Sequence, residues 1–457
     1  MSDITEETAV AQAALLKRRE ISCVELLRAH LARIDARNPE LNAIVTLVPE
    51  PALERARALD RDFASASAAP LFGLPIAHKD LVLTRGIKTT FGSPIYASFV
   101  PSEDDLIVER IRDAGAVCIG KTNTPEFGAG SQTFNTVFGA TRNPYDATRT
   151  CGGSSGGAAV ALAANMIPIA DGSDLGGSLR NPAAFCNVLG LRPTPGRVPA
   201  YPSRNPWFDM SVQGPMARNA DDLALLFSTI VGPDPRVPVA LSDPGASFYP
   251  IQPIDLRRTR IAVAPNLGGL PVERPIRDAV LALAAKLERA GAAIELACPD
   301  LRDAREIFHV LRANSFRARF RELTPSQRAT LKDTIVWNVE AGERLTLEDI
   351  DRAWSARAAL YRRVAEFFRR FDLLLCPTTQ VLPFPVTTDW VREIDGVPMR
   401  DYLEWMQSCA QITVTGCPAI SVPNGSSHGG LPIGAQFVAP VREDARLLSI
   451  AKCVQAL

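Results

Sequence analysis

Histidine is scarce: His30, His78, His309 and His428 are the only four in 457 residues. A Ser-His-Asp triad or a histidine-rich metal site has little to draw on. His30 and His309 fall within helical patterns, and His428, in the Gly/Ser-rich turn GSSHGG, is the runner-up base of such a triad. Histidines and carboxylates nowhere recur at metal-ligand spacing, so no metal and no cofactor are expected. Excess charge is lacking too. The 50 basic and 50 acidic residues cancel, which removes the footprint of a nucleic-acid or anionic-membrane partner. The nine cysteines are odd in number, scattered and without a CxxC pair, and read as reduced thiols of a cytoplasmic protein. The beginning, MSDITEETAV, is acidic where a secretory signal is basic and then apolar, so export is not expected. The longest apolar run, Gly156 to Ala170, is interrupted by Asn165 and Pro168 and is shorter than the ~20 residues of a spanning helix.

What is present is ordinary globular composition, 46% hydrophobic and 22% charged, with ample material for a large core. Helical spacing marks Cys23 to Ile34 and Ala52 to Phe63. Short β-rich runs then alternate with helices: LPIA near Leu74, AVCIG at Ala116, MIPIA at Met166, RIAVA at Arg260, AAIEL at Ala292, DLLLCP at Asp372, PAISVP at Pro418 and IGAQFV at Ile433. The segment 303–370 is helical and arginine-rich, and a final helix runs from Arg442 towards Cys453. This alternation predicts an α/β fold, a single large α/β/α sandwich whose mixed, mostly parallel twisted sheet is covered by helices on both faces. One unit over 1–457 is expected, with N-terminal helices (1–70), a core (71–230), a variable helix-rich segment (about 232–370) and C-terminal strands and helix (371–457).

Three pattern matches lack the context their chemistry needs. GAVCIGKT, residues 115–122, fits a phosphate loop with Lys121 as ligand, but its intervening residues are those of a buried strand. A nucleotide binder built on Lys121 is therefore only a remote alternative. GGSSG at 152–156 fits a nucleophile elbow, yet a polar loop precedes it instead of a strand. SIAK, Ser449 to Lys452, lies in the last amphipathic helix.

A serine nucleophile needs a base, and with histidine scarce the remaining candidate is lysine. Only seven of the fifty basic residues are lysines, and Lys79 ends the apolar run in GLPIAHKD, where burial would lower its pKa. An ion pair with Asp80 is the plainer reading. Two serine segments shift that balance. In DLGGS, Gly176 and Gly177 let backbone N–H groups converge beside Ser178, as an oxyanion hole requires. In GGSSGG, glycines flank Ser154 and Ser155 and permit unusual peptide geometry. One serine would attack while the other carries protons.

GLPIAHKD, AGAVCIGKTNTPEF, FGATRNPYD, CGGSSGGAA, DGSDLGGSLRNPAAF and GLRPTPGRVP together resemble the amidase signature family in order and spacing. The resemblance is dense from Leu71 to Leu226 and recurs at DLLLCPT and from GCPAISVP through LPIGAQ; about 232–370 is unmatched. It implies a cofactor-free hydrolase of linear amides with a Ser-cisSer-Lys triad: Ser178 the nucleophile, Ser154 the bridging serine after a cis peptide from Gly153, and Lys79 the base. It further implies an oxyanion hole of the N–H groups of Leu175, Gly176, Gly177 and Ser178, with Gly153, Ser155, Asp174 and Arg180 in support. Leu175 departs from the threonine of many members. Ala129, Gly130, Ser131 and Phe134 fall in the family segment beside the active site. Trp207, Phe208, Tyr402 and Trp405 are candidates for an apolar pocket, and arginines of 303–370 for reading a carboxylate. The expected partner is a small amide, with a homodimer as the default assembly. The alternative is the glutaminase (A-type) subunit of an aminoacyl-tRNA amidotransferase.

Overall fold

The computed structural model describes residues 3–457. Its strands of four or more residues are β1 (Ile44–Leu47), β2 (Pro75–Lys79), β3 (Val117–Thr122), β4 (Ile169–Asp174), β5 (Leu189–Arg192), β6 (Val212–Ala217), β7 (Arg260–Val263), β8 (Ala293–Leu296), β9 (Leu373–Pro377), β10 (Ala419–Ser426) and β11 (Pro432–Val438). Eight form one sheet in the order β8-β7-β9-β11-β10-β5-β6-β4, and β1-β3-β2 form a smaller one. The small sheet is tied to β4 where the Lys79 N–H, at the end of β2, donates to Asp171.

Period-2 alternation decides which side chains face which layer. Leu373, Leu375, Ile420, Val422, Ala435 and Phe437 enter one core. That core also takes apolar residues of the helices Gly156–Ala163, Ala220–Ile230, Arg274–Arg289 and Asp444–Gln455. The alternate residues Leu374, Cys376, Ala419 and Val438 enter a second core. There they meet the helices Arg180–Phe185, Ala304–Phe320, Leu347–Phe368 and Gln407–Thr415. The sheet is thus covered on both faces.

The sheet is mixed, as expected, but it is not mostly parallel. Only β7–β8 and β7–β9 run parallel. The other five neighbouring pairs are antiparallel. The reason lies in the connections: the helix Arg274–Arg289 carries the chain from β7 back to a parallel β8, whereas a short turn joins β10 to β11 and forces a hairpin. The run at Met166 begins its strand later than expected, at Ile169. β5 and β6 were not anticipated at all, because Gly190, Gly214 and Pro215 interrupt their β pattern.

The helix Gly156–Ala163 positions the first serine segment, and it seats against the small sheet through a residue with no side chain. A Cβ at Gly157 would fall on the backbone of Asn123 and the carbonyl of Ala43. Gly157→Ala is therefore expected to cost roughly 1–3 kcal/mol by overpacking. Chemical denaturation checks this, and an unchanged midpoint would show that the backbone gives way freely.

Candidate active site

All five residues of β2 are buried, so the strand that carries Lys79 delivers its amine into the protein interior. Nζ donates to Ser154 Oγ and Ser155 Oγ, each at 2.8 Å, and to Ser173 Oγ at 3.0 Å. Burial pushes the ammonium pKa down to about 7 against the upward pull of Asp174 and Asp171. The plainer expectation, an ion pair with Asp80, fails. Asp80 accepts instead from the Thr90 N–H and hydroxyl.

Ser154 and Ser155 lie between the loop from Ala129 to Phe134 and the helix Gly156–Ala163. The Gly153–Ser154 peptide is cis. The Ser131 hydroxyl donates to the Gly153 carbonyl at 3.0 Å, and the Thr133 hydroxyl to that of Gly152 at 2.9 Å. Ser155 occupies the N-cap of the helix, where a serine ordinarily accepts from the first turn. Its hydroxyl is drawn away, accepting from Lys79 and, at 3.3 Å, from the Ser173 N–H.

The second serine segment hangs on Asp174, the last residue of β4. Its carboxylate accepts from Arg180 Nε (2.9 Å) and Nη2 (3.0 Å), and from the N–H groups of Gly177 (2.9 Å) and Leu179 (3.2 Å). Arg192 Nη1 bonds both its carbonyl and its carboxylate. Burial opposes the charge, but Arg180 and Arg192 outweigh it and hold the carboxyl well below the usual range. Arg180 also reaches Gln436, Cys409 and Thr413, which fastens the loop to both flanking layers. Gly177 has a φ of +119°, which a side chain would strain. Ser178 is part-exposed, and its carbonyl accepts from the Ser155 N–H at 3.1 Å. The two serine segments are thereby joined.

The four-donor oxyanion hole needs correcting. The Gly177 N–H is directed at Asp174, so it braces the loop, while the N–H groups of Leu175, Gly176 and Ser178 have no partner among the described residues. Ring Cζ of Phe308 lies 2.8 Å from where a Cβ of Gly176 would sit, closing the loop from above. Behind Lys79, His78 Nδ1 pairs with Asp171 at 2.9 Å, a buried contact that sequence reasoning missed along with Ser173. The only signal for either was position, beside Lys79 or beside Asp174.

Other expectations also change. Lys121 is buried and donates to the Val82 carbonyl (2.6 Å) and Thr84 hydroxyl (2.8 Å), so it is a strand-end anchor unavailable to phosphate. His428 sits exposed in the β10–β11 turn. Trp405, at 2% exposure, packs edge-on to Phe384 as core. The Tyr402 hydroxyl is taken by Arg312 and Asn338, Phe208 packs on the second core, and Trp207 is 68% exposed. Ala129 and Ser131 are buried, while Gly130 and Phe134 are part-exposed. An open pocket of 480 Å3 lined by Asp209, Trp354, Arg357 and Arg442 shares no residue with the serine cluster.

Asp174→Asn would leave two buried guanidinium groups short of their counter-charge. A loss of about 3–5 kcal/mol in stability is expected, read by denaturant unfolding. A loss under 1 kcal/mol would show that the loop does not depend on this charge.

A family model described as Amidase matches residues 25–448. The A-type subunit of the glutamyl-tRNA(Gln) amidotransferase of Acidothermus cellulolyticus is 35% identical, covering 100% of this chain and 95% of its own length. An acylamidase of Rhodococcus erythropolis is 33% identical, covering 98% of this chain and 95% of its own. Among solved structures, a bacterial aryl acylamidase of the amidase signature family superposes with a TM-score of 0.90 at 27% identity, over 98% of this chain and 96% of that one. No helix among the described residues is long and apolar enough to cross a membrane. The chain belongs to the amidase signature family and is an amidohydrolase acting on the carbon–nitrogen bonds of amides.

Proposed function

We propose that the protein hydrolyses a linear carboxylic amide to an acid and ammonia or an amine through a seryl acyl-enzyme, with Ser178 as nucleophile, Ser154 as proton carrier and Lys79 as base. The observation that carries this is the buried Lys79 amine within 2.8 Å of the Ser154 hydroxyl, its pKa lowered by burial to about 7. A neutral amine accepts the Ser154 proton while Ser154 takes that of Ser178, whose oxygen bonds to the amide carbon. Negative charge on the carbonyl oxygen is met by the N–H groups of Leu175, Gly176 and Ser178. The proton returns through Ser154 to the leaving nitrogen, the C–N bond breaks, and the amine departs neutral. Water then adds to the acyl-enzyme by the same relay, freeing the acid and regenerating Ser178. Ser155 and Ser173 hold the amine in place, and Asp174 with Arg180 holds the loop.

A second reading has a specific observation in its favour. The chain is 35% identical, end to end, to the A-type component of a glutamyl-tRNA(Gln) amidotransferase. On that reading it releases ammonia from glutamine for a partner. Assay of the purified protein alone on aliphatic and aryl amides separates the two. Turnover without a partner supports the free-standing amidase, and activity only with glutamine and partner proteins supports the other.

Ser178→Ala is expected to abolish both turnover and mass-detected acyl-enzyme. Lys79→Ala should remain folded while kcat falls about 10²–10⁴-fold, the usual worth of a general base. Either variant at full activity removes its residue from the scheme. Since only the uncharged amine accepts a proton, kcat/KM should rise with pH through about 7 and then level off. A profile flat from pH 5 to 9 would exclude Lys79 as the base.

A further inference from the structure

We infer that Lys332 is the receptor for a carboxylate carried by the amide substrate, an assignment that rests on the amide-hydrolase reading of the neighbouring serines. Lys332 comes from the variable segment that matched no family motif, yet it is docked on the motif-bearing core. Its own N–H donates to Glu126 Oε2 at 2.7 Å, and the Ser93 hydroxyl donates to Oε1 at 2.6 Å. Around it, Phe316, Phe320, Leu331 and Ile335 close an apolar cluster with Phe127 and Ala129. The backbone of residue 332 is thereby held against the loop that runs along the serines.

That loop connects the amine of Lys332 to the reacting groups. Nζ lies 3.9 Å from the centroid of the Phe134 ring and 3.6 Å from where a Cβ of Gly130 would be. Next to Gly130, Ser131 bonds the carbonyl of Gly153, the residue preceding Ser154. Two positions before Gly130, the Cβ site of Gly128 is 3.5 Å from Ser154 Oγ. Lys332 therefore stands over one end of the same short loop whose other end lies beside Ser154.

The amine has no hydrogen-bond acceptor and no ion pair among the described residues. The charged groups that face it are Glu126, Asp389 and Asp333. Glu126 is occupied by Ser93 and by the Lys332 backbone, and Asp389 by Arg392 and the Trp390 N–H. Asp333 is its chain neighbour at the start of the helix Asp333–Glu343. Burial pushes the ammonium down to about 8, so it is still largely charged at neutral pH. The Lys332 side chain is part-exposed, and its amine rests on the Phe134 ring face with no acceptor among the described residues for its three N–H donors, which leaves them for an incoming anion. A carboxylate supplies two acceptor oxygens and the opposite charge. Of the arginines expected to play this part, Arg312 is spent on Asn338 and Tyr402 and Arg357 on Asp209, while Arg319 lies over the rings of Phe127 and Phe320.

The test uses matched amide pairs with the purified protein. Monoamides of succinate, glutarate and adipate against butyramide, pentanamide and hexanamide place the carboxylate on the acyl side. N-acetylglycine and N-acetyl-β-alanine against N-propylacetamide and N-butylacetamide place it on the amine side. In one arm, kcat/KM for the carboxylate member should exceed that of its neutral partner by about tenfold or more, chiefly through KM. Lys332→Met should erase that preference and Lys332→Arg should keep part of it. Amide turnover with no carboxylate preference in either arm, or a Lys332→Met variant that loses activity equally on both members of a pair, overturns the inference. Calorimetric binding of glutarate to Ser178→Ala, with and without Lys332→Met, separates the two readings. Lys332-dependent binding without hydrolysis of any amide would refute the catalytic scheme and leave the anion site standing, whereas binding that ignores Lys332 refutes the site.

Discussion

A primary amine that reaches a dry pocket must either find a counter-charge or give up its proton, and the end of β2 offers it hydroxyls instead of a carboxylate. Lys79 is surrounded by Ser154, Ser155 and Ser173, groups that accept a hydrogen bond without bringing charge. Desolvation then dominates over the more distant Asp171 and Asp174. The local arrangement keeps carboxylates at that distance. β2 is buried on both sides, Asp171 is occupied by His78, and Asp80 is turned towards Thr90.

Asp174 meets the same problem in the opposite way. One residue beyond Ser173, its carboxylate stays charged because two guanidinium groups and two backbone N–H groups converge on it. The contrast gives the site its division of labour. A fully compensated ion fixes the geometry of the loop, and an amine without a carboxylate partner is met by hydroxyls.

Much of this was legible in the chain. Lys79 stood out because lysine is rare here and this one ends an apolar strand, and Ser154 and Ser178 because glycine pairs precede them. Both sheet faces could be anticipated from alternating helices and strands. Strand direction could not, since parallel and antiparallel strands have the same apolar pattern when buried on both faces, and β6 was disguised by Gly214 and Pro215. The bracing role of the Gly177 N–H was equally hidden, because a glycine supplies an N–H to a carboxylate or to a substrate with no change in its letter. Tyr402 and Trp405 misled for a related reason: a buried aromatic fills a core or lines a pocket, and only contacts such as Arg312 or Phe384 tell which. Lys332 lay too far from any motif to be connected with Phe134.

Glu126 grips position 332 by its main-chain N–H and leaves the side chain out of the joint. Whatever residue stands there, proline apart, presents the same anchor to the rest of the molecule. Position 332 is thus a fixed socket with an exchangeable head, whose side chain can change without loosening the joint beneath it.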